Sequence, residues 1–265
     1  MLIVGERLNT SRKRIRRAVA ERDEAFVRKE ASKQAAAGAT HIDVNAGTSV
    51  QEEADDLKWL VETVQSEVDL PLCIDTASGA ALKGAIALTQ KTPLVNSITG
   101  EVERKAEILP IVVEAGADVV ALTMDDSGLP EDIDGRLKAA RELLKELTDL
   151  GVQESKVHFD PLIRPISTNP EQAMLAIETV RQLRAEFPEA GSICGLSNVS
   201  FGLPKRHLLN RTYLAMMVAA GLRGVIMDPT EPAMMSTLLA AKALAGEDQY
   251  SMEYITAERD GRLQA

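Results

Sequence analysis

The feature that most constrains this chain is a period. Short apolar runs of strand length alternate with longer amphipathic stretches, eight times over. The runs are Leu2–Val4, His41–Val44, Leu72–Ile74, Leu94–Val95, Val119–Leu122, Val157–Phe159, Ser192–Leu196 and Gly224–Met227. Between them the spacing predicts helices at Ala25–Ala37, Ala54–Ser66, Glu103–Ala115, Ile133–Leu150, Pro170–Ala185, Leu208–Ala220 and Pro232–Ala245. The segment Thr76–Gln90 is the shortest connection and carries the weakest helical pattern. Parallel strands need a crossover of helix length, so eight such units read as an α/β fold, a (β/α)8 TIM barrel. Gly38, Gly116, Gly151 and Gly221 fall just after helical stretches, where a left-handed C-terminal cap favours glycine. The 265 residues match one barrel, and no linker or low-complexity tract divides them, so residues 1–265 are expected to form a single domain.

Composition narrows the function classes. Aromatic residues are only 3% of a chain that is 45% hydrophobic, so the core must be built from Val, Ile, Leu, Ala and Met. Forty acidic against 30 basic residues give a formal charge of -10, which repels phosphate backbones and argues against a nucleic-acid partner. No apolar run approaches the ~20 residues that span a bilayer. The opening Met-Leu-Ile-Val-Gly-Glu lacks a basic region before a long apolar stretch, and a cytoplasmic protein is expected. Cys73 and Cys194 lie in apolar runs and read as buried reduced thiols. Three histidines and the absence of CxxC or HExxH leave a metal site without support.

Each apolar run ends at or just before a polar residue: Glu6 and Asn9, Asp43 and Asn45, Asp75, Asn96, Thr123 with Asp125, Asp160, Asn198, and Asp228. In a (β/α)8 barrel all strand ends open on one face, where active sites form. Any one Asp or Asn there could instead cap the following helix. All eight together favour a polar pocket. It is rich in Asp and Asn, with no Ser-His-Asp set, Schiff-base lysine or thiolate nucleophile. The loop Gly195–Gly202 could cradle an anion, but no glycine-rich turn follows the eighth run to complete a phosphate site. A neutral heterocycle dense in hydrogen-bonding groups fits better. A pterin ring, with a 2-amino group beside N3–H, can place both hydrogens on one carboxylate. Asp75 and Asp160 are the candidates for that fork, with Asn96 able to donate and accept.

These motifs resemble a known family. Leu72-Cys-Ile-Asp75, Val95-Asn96-Ser97, Phe159-Asp160-Pro161-Leu162 and Gly195-Leu-Ser-Asn198-Val-Ser look like the pterin-binding methyltransferases that serve corrinoid proteins. Ile3-Val-Gly5-Glu6-Arg7-Leu-Asn9 and Leu209-Asn210-Arg211-Thr-Tyr-Leu-Ala-Met fit as well, so the resemblance runs from residue 1 to about 245. It implies methyl transfer between N5 of tetrahydrofolate, as 5-methyltetrahydrofolate, and the cobalt of a cobalamin-type corrinoid held by a separate protein, with no metal in this chain. By the same resemblance Asp75, Asn96 and Asp160 hold the pterin, Asn198 hydrogen-bonds near N5, and Arg206 lies near the folate. Glu6 and Asp43 join the candidate substrate-binding set, and Asn198, Asp160 and Asp75 the catalytic one. A homodimer is also implied.

Three alternatives stand beside this reading. Dihydropteroate synthase uses a similar barrel and similar aspartates. Here Phe201-Gly-Leu-Pro-Lys205-Arg206 and Val225-Ile-Met227-Asp228 replace its lysine, serine-arginine and arginine-x-histidine positions, and Arg7-Leu-Asn9-Thr-Ser11 replaces its early loop. A pterin module of a larger methionine synthase-like enzyme is the second, although the chain runs out at Ala265 with no corrinoid module. The third is a non-catalytic pterin-binding protein. The basic run Ser11–Arg17 reads as a solvated helix face or as a contact for folate's glutamate tail or the corrinoid partner. His41 and His158 read as core histidines, His207 as better placed than these two to face the ligand though a residue away from it is favoured, and Met216, Met217, Met234 and Met235 as helix packing.

Overall fold

Eight parallel strands close into a barrel in the computed structural model, which describes residues 1–47 and 52–264. The strands are β1 (Leu2–Asn9), β2 (His41–Asn45), β3 (Leu72–Asp75), β4 (Leu94–Ile98), β5 (Asp118–Leu122), β6 (Val157–Asp160), β7 (Gly191–Gly195) and β8 (Gly224–Met227). Each pairs with the next, and β1 closes on β8 with Leu2 opposite Gly224. The (β/α)8 TIM barrel expected from the period is the fold.

Helices pack outside the ring: α1 (Lys13–Ala20), α2 (Glu24–Ala36), α3 (Glu53–Gln65), α4 (Gly79–Ile86), α5 (Val102–Ala115), α6 (Ile133–Asp149), α7 (Gln172–Glu186), α8 (Arg206–Ala219), α9 (Pro232–Leu244) and α10 (Met252–Arg259). The weakly patterned Thr76–Gln90 segment does hold a helix. Its start is fixed by the Ser78 side chain, which accepts from Ala81 N at 3.2 Å. The helix face expected for the basic run is α1, and α10 is an additional helix after the last expected one. Both are eight residues long, and the basic run conceals the apolar stripe of α1, where Ile15, Ala18 and Val19 are buried. Gly38, Gly116, Gly151 and Gly221 all adopt positive φ, as left-handed helix ends require.

The core has two layers, set by the two-residue alternation of a strand. One residue set points outward into the helices, for example Ile42, Ile74, Val95, Val119 and Phe159. The other points into the barrel, where Val4, Cys73, Leu94, Val120 and Ile193 form one cluster, backed by Leu122 and Ile226. None of the interior residues is aromatic, which agrees with the composition. Two residues past this layer, the same side of β1, β3, β4 and β8 carries Glu6, Asp75, Asn96 and Asp228. The register aligns them, with Cys73 opposite Leu94 and Asp75 opposite Asn96.

Leu94 is fully buried, directly beneath Asn96. Leu94→Ala is expected to cost about 2–5 kcal/mol, because a closed barrel cannot collapse onto the void. Thermal or denaturant unfolding measures it, and a loss below about 1 kcal/mol would mean the interior repacks.

Candidate functional site

A cavity of about 620 Å³ opens at the C-terminal end of the strands, within the range of small-molecule sites. It is lined by residues of six strand ends and their loops, including Glu6, Asn9, Asp43, Asp75, Asn96, Asn198, Arg206 and Asp228. Of the residues expected from sequence to bind substrate or catalyse, all but Asp160 line it, and of the other polar strand-end residues Asn45, Thr123 and Asp125 do not.

Asp75 sits at the end of β3 with its Oδ2 accepting from Asn9 Nδ2 and from Asn45 Nδ2, each at 3.2 Å. Its Oδ1 has no partner among the described residues. Burial pushes its carboxyl up to about 6, against the two amide donors, which favour the charged form. Asn45 is itself fixed, since its Oδ1 accepts from Thr10 Oγ1 at 2.9 Å. Asn96, opposite Asp75 on β4, makes no side-chain hydrogen bond among the described residues. The two loops that follow these strands are held together by Arg104 of α5. Its Nη2 donates to the carbonyls of Thr76 and Ser97, both at 2.9 Å. Sequence reading did not single out Arg104, because a helix surface arginine carries no local sign of its target.

Asp43 lies deeper than a strand end. Its register partner is Cys73, so it sits level with the apolar interior layer, and it is 2% exposed. Its Oδ1 has no hydrogen-bond partner among the described residues. Burial and the neighbouring Asp75 push its carboxyl well above the usual range, which favours the neutral acid. Glu6 is also raised by burial, in opposition to Arg12, whose Nη2 donates to Glu6 at 2.9 Å.

Asp160 ends β6 and is half-buried just outside the cavity lining. Its Oδ1 accepts from Leu162 N at 2.7 Å, and burial raises its carboxyl to about 6. Thr123 and Asp125 do not line the cavity either. Thr123 donates to the Asp160 carbonyl at 2.9 Å, and Asp125 accepts from Ser127 in a turn. Asp228 lines the cavity, yet its carboxylate is engaged by Arg7 Nη1 at 2.8 Å and by Thr230. Burial alone would raise it, but these donors hold it below the usual range.

On the β7 side, a 3-10 turn Leu196–Ser200 presents Asn198 with an exposed amide. Arg206 braces that turn, donating to Ser197 O at 2.7 Å and Ser200 Oγ at 3.0 Å. His207 lines the cavity beside Glu231, Nδ1 to Oε2 at 2.7 Å. Glu231 was missed, although its place before Pro232, at the start of α9, marks a residue held at a helix entrance. Asn210 was noted only as part of a motif. It is a polar residue on the buried face of α8, with Oδ1 unpartnered among the described residues. The basic run divides: Arg12 lines the cavity, whereas Lys13, Arg14, Arg16 and Arg17 are exposed.

The other expectations resolve simply. Cys73 and Cys194 are buried free thiols. Burial lowers His41 and His158 to about 4, so both are neutral at pH 7. Met217 and Met234 are buried and Met235 packs partly buried beside them, Met234 also touching the cavity, whereas Met216 is exposed and does not pack as expected. Among the described residues no His, Cys, Asp and Glu cluster could hold a metal ion, and no helix is long and apolar enough to cross a membrane.

A carboxyl raised on folding contributes stability that is full below the ordinary carboxylate range and lost as pH rises through its folded value. For Asp160 that loss falls at about 6. Asp160→Asn should therefore be more stable than the parent near pH 8 by about 1–3 kcal/mol. The gain should fade toward about pH 3, where aspartate is protonated in both states. Unfolding curves at the two pH values test this, and an equal or lower stability near pH 8 refutes it.

Comparison with known proteins agrees with this geometry. Residues 5–228 match a family model described as pterin binding enzyme. Over 265 residues the chain is 35% identical to methylcorrinoid:tetrahydrofolate methyltransferase of Eubacterium limosum, covering 99% of this chain and 98% of that protein. It is 29% identical over 244 residues to methionine synthase of Mycobacterium tuberculosis, of which it spans 20%. Among solved structures, 7,8-dihydropteroate synthase from Vibrio fischeri ES114 superposes with a TM-score of 0.72 at 16% identity, covering 93% of each chain, a likeness of fold. With the family model matched over most of its length, this chain belongs to the pterin-binding enzyme family.

Proposed function

We propose that this protein is a methyltransferase that moves a methyl group between N5 of tetrahydrofolate and the cobalt of a corrinoid carried by a separate protein. The observation that carries the reading is the register pair Asp75 and Asn96 at the cavity, in a chain similar over its full length to a methylcorrinoid:tetrahydrofolate methyltransferase. Asn9 and Asn45 converge on Oδ2 of Asp75, which leaves Oδ1 to accept from a ring N–H. Asp160 has one oxygen on Leu162 N and the other to offer. Two carboxylates with Asn96 between them suit a pterin's amino and N3–H edge.

Transfer from folate breaks the methyl–N5 bond. N5 keeps the electron pair and takes up a proton, while cobalt supplies the pair for the new bond. An amine leaves poorly unless that pair is stabilised as it forms. Asn198 is the proposed donor to N5, aided by Arg206, which fixes the turn carrying it. The reverse transfer uses the same groups in the opposite sense. Asp43 and Glu6 complete the cavity floor and wall as proposed substrate contacts. The corrinoid protein must dock over the open mouth. We place the enzyme, as one barrel domain, in the cytoplasm, supported by its two free buried thiols, and as a homodimer on the family resemblance.

Calorimetric titration with 5-methyltetrahydrofolate should give saturable one-to-one binding, weakened by Asp160→Asn. In an anaerobic cobalamin transfer assay, Asn198→Ala should slow turnover by about 10²-fold or more with a smaller change in binding. Absence of binding up to about 1 mM ligand, or equal turnover in the Asn198 variant, would overturn the reading or that role respectively.

A further inference from the structure

Arg136 is the largest of the fully buried side chains, at 0% exposure in the first turn of α6. Its Nη1 donates to the Pro161 carbonyl at 2.6 Å and its Nε reaches the Pro130 carbonyl at 3.4 Å. Among the described residues its Nη2 is buried with no partner and it forms no ion pair with a carboxylate. Enclosing a guanidinium in this way is unfavourable, and an apolar side chain of similar volume would pack at lower cost. The charge therefore needs a reason other than stability.

The surroundings supply one. Pro161 follows Asp160 directly, and Leu162, whose N–H holds Asp160 Oδ1, has a left-handed backbone with φ of 60°. A non-glycine residue holds that conformation only when its neighbours over-determine it. Arg136 fixes the turn from behind through Pro161 while Leu162 fixes it from the front. The groups around Asp160 are Cys194 of β7, Tyr213 of α8 and Arg136 of α6; Glu131 and Arg164 lie farther out beside Arg136. Burial raises both the thiol and the phenol, so both are neutral at pH 7. The Tyr213 hydroxyl is directed to the Ala173 carbonyl at 3.1 Å. Among the described residues, this leaves Arg136 as the one cation acting on Asp160.

We infer that Arg136 is a positioning residue for Asp160, bracing the Asp160–Leu162 turn and supplying the buried positive charge that keeps the Asp160 carboxylate an acceptor for the ligand's N–H edge. The inference rests on the proposed pterin-binding role of Asp160. It assigns Arg136 no contact with substrate.

The test compares Arg136→Met, which removes the charge, with Arg136→Lys, which keeps it. Both are first checked for folding by thermal melting. Each is then titrated with 5-methyltetrahydrofolate from about pH 5.5 to 8.5, beside the parent at each pH so that the ligand's own ionisation cancels. Loss of a nearby opposite charge should raise the acid limb of binding by about one pH unit or more in Arg136→Met. Affinity would then drop roughly fivefold near pH 6 and less than about twofold near pH 8. Arg136→Lys should keep the parent's limb. A uniform loss at every pH, or no change, would reduce Arg136 to a structural role and overturn the inference. A parent protein that binds no folate would remove the proposed function, and this inference with it. A carboxyl carbon NMR titration of the ligand-free parent, with Asp160→Asn for assignment, supplies an arm that needs no Arg136 variant. Asp160 should titrate near 6, and a proton retained above about pH 8 means that Arg136 does not hold the anion.

Discussion

Everything at the mouth of this barrel depends on the two-residue alternation of a parallel strand. A residue that points into the barrel at one layer is followed, two positions later, by another on the same side. Val4 leads to Glu6, Cys73 to Asp75, Leu94 to Asn96 and Ile226 to Asp228. Closure of β1 on β8 turns these separate pairs into a ring. The lower members form a dry plug and the upper members a polar rim. A one-residue slip in one of these strands would turn both members outward against the helices, and a two-residue slip would carry the polar member down to the level of the plug.

Concentrating carboxylates at one rim is electrostatically unfavourable, and the protein offsets it selectively. Asp228 is saturated by Arg7 and Thr230, and Arg7 is itself anchored on Glu30. That side of the mouth is a closed ionic network, and its charge is spent on structure. Asp75 receives only neutral amides, and Asp160 only a backbone N–H with a cation held at a distance. These two keep acceptor oxygens and raised carboxyls, the state that a proposed N–H ligand edge would exploit. Asp43, level with the plug, goes furthest toward neutrality because water reaches it least. Function and stability are in tension at the same atoms.

Two arginines outside the strands organise the loops that carry the site. Arg104 clamps the segments after β3 and β4 through three carbonyls, and Arg136 holds the segment after β6. A planar guanidinium presents several fixed donors, so it can serve carbonyls from different loops at once. Loops of a barrel are otherwise independent, and such bridges make their ends one rigid frame.

The sequence by itself determined the architecture and the chemical character of the mouth. Eight apolar runs separated by helical stretches admit little besides a parallel barrel, and a polar residue at each run's end falls on the shared face whatever the details. Asp75, Asn96 and Asn198 were legible because strand-end position follows from local pattern alone. What only the tertiary structure decided is which of those polar residues has a side chain left to offer. Asp228 is consumed by Arg7, 221 residues away in sequence. Asp43 sinks one layer because strand stagger, which no local pattern encodes, sets it beside Cys73. Asp160 is absent from the cavity lining, and Arg136 and Arg104 act on carbonyls, and Glu231 on the His207 imidazole, that only folding brings near. Local periodicity says which way a side chain points; what it meets there depends on register and on contacts between distant segments.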